Sequence, residues 1–318
     1  MSSSTTPPAL KPLYTRELLN DIEASLANNG KYIELKNTDG KTFRSENLHR
    51  GVRTGDVAPG RKERRNIVMF HDDRNLKRLQ AQGKADQFFP IFNASTLFQG
   101  ATKTKEEVRA TFQGIARAFE ASAEAVAITE LIRTHLDGCA VDKVIAFGLG
   151  RISNIGPGPL SSFYEHAAAR VVWKAVQEVS SAPKVALLVQ NPLYTDVCKK
   201  VLQESDFDII EGFGAKGFSL TDDNTVVLGH RPSFPLRQIV ADLARPALIS
   251  MRAQTTGDQP TQFQVLPDFR ADVDSVRSRE MLKEYRGISL PITRQKAFWE
   301  NTWYVKILTA NQSDAAGT

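Results

Sequence analysis

Val144-Ile145-Ala146-Phe147-Gly148-Leu149-Gly150 is the stretch on which the fold turns: an unbroken apolar run that ends at two closely spaced glycines. A run apolar at successive positions, rather than at every second one, suits a strand covered on both faces. Similar runs follow at Val185-Ala186-Leu187-Leu188-Val189, Phe207-Asp208-Ile209-Ile210, Thr225-Val226-Val227-Leu228 and Ala247-Leu248-Ile249-Ser250-Met251. Helical spacing predicts helices over 161–179, 195–203 and 236–243 between them. Strands separated by helices imply right-handed crossovers and a largely parallel sheet. The fold class expected is therefore α/β, a Rossmann-like three-layer domain with a mainly parallel sheet over about residues 103–255.

Outward from this block the texture changes. Upstream, Val108, Phe112, Ile115 and Phe119 recur on one helical face, and Ala123 to Ile132 continue the stripe after a possible bend. Asp137-Gly138 ends that helix. Thr15 is placed to cap a short helix carrying Leu18, Leu19, Ile22 and Leu26. Lys31 to Leu35 and Lys41 to Arg44 read as strands around Asp39-Gly40, a hairpin signal. Residues 1–12 are Ser/Thr/Pro-rich and expected to be disordered. Residues 13–102 form an N-terminal extension, in which 50–100 reads as irregular. Residues 256–318 form a C-terminal extension, with a charged helix near 274–284 and the aromatic stretch Lys296-Ala297-Phe298-Trp299-Glu300-Asn301-Thr302-Trp303-Tyr304, expected to dock on the core, its last residues disordered.

Composition narrows the function classes. The 318 residues are 41% hydrophobic and 24% charged, with a mean hydropathy of −0.30, which describes a globular chain rather than a disordered one. No apolar run of about 18 residues is present, so no membrane-spanning helix is expected. The segment Met1 to Pro8 has neither a basic start nor an apolar centre and does not read as a secretory signal. Two cysteines, Cys139 and Cys198, build no disulfide framework; a reducing compartment, cytoplasmic or nuclear, is expected. The net charge of +5 is a weak argument for nucleic acid. Its densest cluster, Arg61, Lys62, Arg64 and Arg65, reads as a solvated loop.

The residues that could carry chemistry fall after the strands. Gly148, Gly150, Arg151 and Ser153 follow the first strand, where glycines allow a sharp turn and close approach of a ligand. The dinucleotide fingerprint needs a third glycine where Ser153 stands, and Asn154 to Pro159 delay the helix. A phosphate-bearing ligand facing Arg151 and Ser153, and a plain tight turn, are both open. Asn191 ends the second strand where an acid would hold ribose hydroxyls; with Tyr194 it lines the same edge, or it simply opens a turn capped by Thr195. His230 follows the fourth strand, on the edge where parallel sheets bind ligands, either as an acid, base or ligand or simply as a hydrogen-bonded structural residue, and His166 is placed to point toward the same crevice. No zinc or serine-hydrolase pattern is present, so no metal site is expected.

The order of these pieces resembles the sensitivity-to-red-light-reduced (SRR-like) domain family, in its fungal branch. The matching segments are Gly148-Leu149-Gly150, Glu165-His166-Ala167-Ala168, Gln190-Asn191-Pro192-Leu193-Tyr194, Leu228-Gly229-His230-Arg231-Pro232, and Pro235 to Arg245-Pro246. The resemblance implies a Rossmann-like fold and a regulatory protein related to light-signalling and circadian families. It supplies no settled reaction, cofactor or catalytic residue. Two positions depart: Asn191 stands where the family has Asp, and Gly229 and Arg231 flank His230 where many members have Pro-His-Cys-Pro.

The expected function is binding of a small ligand or a protein partner at the carboxyl edge. A transferase using S-adenosylmethionine or a nucleotide is the alternative, and heme binding through His230 the third. Membrane and nucleic-acid partners are not expected.

Overall fold

The computed structural model describes residues 10–47, 50, 57–83, 88–153, 160–230, 232–253, 272–291, 297–298 and 300–307. The seven-stranded central sheet takes β5 (Lys143–Phe147), β6 (Ala186–Gln190), β7 (Asp208–Ile209), β8 (Thr225–Gly229), β9 (Leu248–Arg252), β10 (Tyr285–Ser289) and β11 (Asn301–Lys306) in the spatial order β10-β11-β9-β8-β5-β6-β7. The strands β5 to β9 are mutually parallel. The chain runs outward from β5 to β7, then returns to the other side of β5 for β8 and β9, which is the doubly wound order.

Each strand of this block is apolar on both sides because both sides are covered. Val144 and Ala146 pack under α3 (Lys105–Glu120), α4 (Ala123–Leu136), α5 (Ser161–Val179) and α6 (Asp196–Gln203). Ile145 and Phe147 face α7 (Lys216–Ser219), α8 (Leu236–Leu243), α9 (Val276–Leu282) and the N-terminal helix α1 (Arg16–Ala27). The three layers are those of a Rossmann-like α/β fold. The long helical stretch before β5 is two helices, because the Ser122 hydroxyl accepts from the Ala125 amide and starts α4 afresh.

Two expectations are corrected. The region read as irregular contains β3 (Lys62–Phe70) and β4 (Ile91–Gln99), a nine-residue antiparallel ribbon joined through α2 (Asp73–Ala81). Its signal was hidden because Lys62, Glu63, Arg64 and Arg65 interrupt the apolar alternation. Consequently Lys62, Arg64 and Arg65 are strand residues, not a loop. Arg65 is buried, its guanidinium 3.4 Å from the Phe98 ring centre and bonded to Glu63 at 2.6 Å, so the cross-strand aromatic meets a cation that local reading left solvated.

The second correction concerns the tail. The helix expected over 274–284 ends as α9 at Leu282, and Tyr285 to Ser289 form β10. The aromatic segment is not laid over the sheet but inserted into it: β11 pairs antiparallel with both β9 and β10, and Trp303 is fully buried. The sheet therefore extends beyond residue 255. The described part of the N-terminal extension packs on the second face, where β1 (Tyr32–Lys36) and β2 (Thr42–Glu46) form the expected hairpin. It is tied down by Asp242, which accepts from the Leu13 and Tyr14 amides at 2.7 and 3.0 Å.

Candidate functional site

In a doubly wound sheet the crevice opens where the strand order reverses, here between the carboxyl ends of β5 and β8. Phe147 is in register with Gly229, so the residues that follow, Gly148 and His230, leave the sheet side by side. Gly148 adopts φ +66°, which an L side chain rarely accepts, and lets the chain turn off the strand. Its amide donates to the Gln190 carbonyl at 3.3 Å, which brings the end of β6 to the same rim. On the second face the ring of Phe234 closes over Gly148, as part of an aromatic cluster with Phe70, Phe147 and Phe218. Gly150 also has positive φ and backs onto the Ser162 hydroxyl at the start of α5.

His230 is the titratable group at this reversal point. Its side chain is buried, with Nε2 3.6 Å from Oε1 of Glu165 and Nδ1 3.2 Å from Oδ1 of Asn301. Phe298 meets the ring edge-on, 6.2 Å between centres. Glu165 is equally buried, on the side of α5 facing β8. The result is a carboxyl group and an imidazole, both buried, beside a glycine turn. Such a pair can exchange a proton with a ligand or hold its polar group.

The remaining candidates do not converge on this point. His166 was expected to face the crevice. One residue further along α5 than Glu165, it points to the opposite side and is fully buried against Tyr194 and Phe207. Its Nδ1–H donates to the Ser162 carbonyl at 2.5 Å, and its Nε2 accepts from the Tyr194 hydroxyl at 2.6 Å. Burial lowers the pKa of His166 to about 4, and burial raises that of Tyr194 well above its usual value. These two residues are a neutral internal pair.

Asn191 takes the turn role: its Oδ1 accepts from the Leu193 amide at 2.9 Å, and Thr195 caps α6. Ser153 is buried, its Oγ 2.8 Å from the Thr195 hydroxyl. Arg151 donates to the Gln99 carbonyl at the end of β4, at 3.0 Å. Residues 154–159 and Arg231 lie outside the described residues. Cys198 is buried beside Thr195, and burial pushes the Cys139 thiol up, which disfavours the reactive thiolate in Cys139. Among the described residues no group of His, Cys, Asp and Glu gathers to hold a metal ion, and no helix is long and apolar enough to cross a membrane.

Three features escaped sequence reasoning. Glu165 and Asn301 become partners of His230 only through tertiary contact. The third had a local signal: Gly212-Phe213-Gly214-Ala215-Lys216-Gly217 has the spacing G-x-G-x-x-G, separated from the end of β7 by two residues and opening α7. Its amides already hold an anion. The carboxylate of Glu23, from α1, accepts from Phe213 at 2.9 Å, Ala215 at 2.6 Å and Lys216 at 3.2 Å. A Cβ on Gly212 would come within 2.6 Å of Glu23 Oε2. The glycine loop thus anchors the N-terminal extension. Glu23→Ala strips several amides of their acceptor at once and is expected to cost about 1–3 kcal/mol in urea unfolding. Glu23→Gln, which keeps an acceptor oxygen, should recover part of that loss. Equal stability of wild type and alanine variant would refute the anchoring role.

Among the described residues, a groove of about 450 Å³ lies between α1 and the β1–β2 hairpin and another of about 290 Å³ between α4 and α5. Gly148, Asn191 and His230 line neither of them. No family model matches the chain, and no curated protein is significantly similar to it.

Proposed function

We propose that the protein is an SRR-like regulatory protein that binds a small ligand at the carboxyl rim of its sheet, between the turns after β5 and β8. The observation that carries this reading is the pairing of His230 with Glu165 beside Gly148, at the point where the strand order reverses. A buried acid and imidazole are costly to retain as packing alone, since each must be desolvated. Parallel doubly wound sheets take their ligands at this place. The resemblance of the order of segments to the SRR-like family supports a regulatory role rather than a known reaction.

The alternative, a transferase using S-adenosylmethionine or a nucleotide, draws on the same fold order and glycine turn. It is weakened by Asn191 Oδ1, Arg151 Nη1 and Ser153 Oγ, each of which makes a bond within the protein. Heme ligation through His230 would have to displace Asn301 or Glu165 from a ring nitrogen.

A thermal-shift series on the full chain separates these readings. S-adenosylmethionine, NAD, ATP and hemin are tested against wild type, His230→Ala and Glu165→Gln. A ligand at 100 times its Kd stabilises the native state by about 2.7 kcal/mol, a shift of roughly 4 °C for a chain of 318 residues at about 2.1 cal/mol/K of unfolding entropy per residue. The expected result is a shift in wild type that His230→Ala abolishes. Shifts that are equal in all three proteins, or a flat response to all four compounds, would overturn the proposal.

A further inference from the structure

We infer that Asn301 is a positioning residue for the rim: it holds the proton of His230 on Nδ1 and thereby makes Nε2 the working nitrogen. The inference rests on the reading of His230 as part of a binding site, and it adds the last strand of the sheet to that site. Asn301 opens β11, in register with Arg252 of β9.

The orientation of its amide follows from its own partners. Nδ2 donates to the Gly229 carbonyl at 2.7 Å and to the Ser250 hydroxyl at 3.0 Å. Both hydrogens of the amide nitrogen are thereby used, so the group facing His230 is the carbonyl oxygen, which only accepts. At 3.2 Å from that oxygen, Nδ1 must be the donor.

The other ring nitrogen is then free of that proton when the imidazole is neutral. Nε2 lies 3.6 Å from Glu165 Oε1, too far for a direct hydrogen bond but close enough for one charge to stabilise the other. Gain or loss of a proton by His230 takes place on that side, toward α5, and not toward β11. The same amide ties the last residue of β8 to β11, so the imidazole is fixed in rotation as well as in tautomer. Phe298, just upstream in the same segment, closes the flank of the ring. The sequence beyond the parallel block is therefore needed for the chemistry of the rim and not only for the width of the sheet.

The test is a long-range ¹H–¹⁵N spectrum of the ligand-free full chain, with His230 assigned by the loss of its signals in His230→Gln. Wild type is expected to show a protonated Nδ1 and an unprotonated Nε2. In Asn301→Leu, which removes the acceptor, the Nδ1 resonance is expected to move toward the unprotonated range. Asn301→Asp restores an acceptor and adds a charge, so Nδ1 should be protonated again and the His230 titration should move to higher pH. Ser250→Ala removes another bond of the same amide and should leave the tautomer unchanged. A wild-type His230 protonated on Nε2, or an Asn301→Leu spectrum like wild type, would overturn the assignment. Should the leucine variant fail to fold, an aspartate variant whose titration equals that of wild type overturns it alone. Because no ligand is present, failure here leaves the thermal-shift result standing, and a flat thermal-shift series leaves this result standing.

Discussion

Arg237→Ala is expected to be the most destabilising single substitution in the chain, at about 3–5 kcal/mol, because it strands buried carboxylates without a counter-charge. Arg237 lies on α8 with its side chain only 2% exposed. Its Nε is 3.3 Å from Asp272, a second guanidinium nitrogen bonds Asp274, and a third donates to the Arg252 carbonyl at 3.0 Å. The backbone amide of Arg237 also donates to Asp272, at 2.8 Å. This cluster joins α8, the end of β9 and the chain entering α9. Burial works against the charge on Arg237, but Asp272 and Asp274 outweigh it, and the pKa stands above its ordinary value. Burial raises the Asp272 carboxyl, and Arg237 opposes that rise.

Without the guanidinium, only the backbone amide of residue 237 still opposes the rise, and Asp272 folds more readily when protonated. A group whose pKa is raised in the folded state contributes stability below its unfolded pKa and loses it as pH climbs through the folded value. The deficit of Arg237→Ala relative to wild type should therefore shrink between pH 7 and pH 4. Replacing Asp272 and Asp274 by asparagine in the same chain should recover much of the loss at pH 7. Urea midpoints across that pH range check both points. A deficit under about 1 kcal/mol at pH 7, the size of an ordinary surface pair, would show that the cluster is solvated instead.

What could be read from the sequence follows from where the information sits. The strands β5, β6, β8 and β9 announce themselves because burial on both faces demands an uninterrupted apolar run. The ribbon β3–β4 does not, since charged residues sit among its apolar ones and a buried arginine takes the place of a core residue. The strand β11 was visible as aromatics but not as a strand, because its partners β9 and β10 are set by the sheet and not by local pattern. The same division holds at the site. Gly148 and His230 follow strand ends and could be placed from topology. Glu165 and His166 are adjacent in sequence, and only the orientation of α5 decides which of them faces β8. Sequence reasoning favoured the histidine, and the structure gives the rim to the glutamate. Asn301 lies 71 residues from its partner and had no local signal.

The second large effect belongs to the histidine that the rim does not use. His166 is neutral in the folded chain, with Nδ1–H bonded to Ser162 and Nε2 accepting from Tyr194. Burial holds its pKa at about 4, below the ordinary histidine value of 6.5 that the unfolded chain should approach. A histidine depressed in this way binds its proton first in the unfolded state. Its contribution is therefore complete above pH 6.5 and is lost as pH falls toward 4, levelling off below that. At 1.36 kcal/mol per pKa unit, the difference amounts to about 3 kcal/mol of stability. Carboxylates with lowered pKa, such as exposed Glu204 held down by Arg109 and Lys105, act in the same direction but mainly below their unfolded value of 4.5. Between pH 6.5 and 4.5 the carboxyls of Asp72 and Asp272, raised by burial, act the other way in both proteins, so the difference between wild type and a His166 variant reads His166. His166→Gln keeps an acceptor for the Tyr194 hydroxyl and gives up the bond to Ser162, so it should start about 1 kcal/mol less stable at pH 7.5. Its stability should then fall less with acid, and the two curves should converge or cross before pH 4.5. Parallel curves for wild type and variant over that interval would mean that His166 meets water in the native state, and the internal pair with Tyr194 would not exist as described.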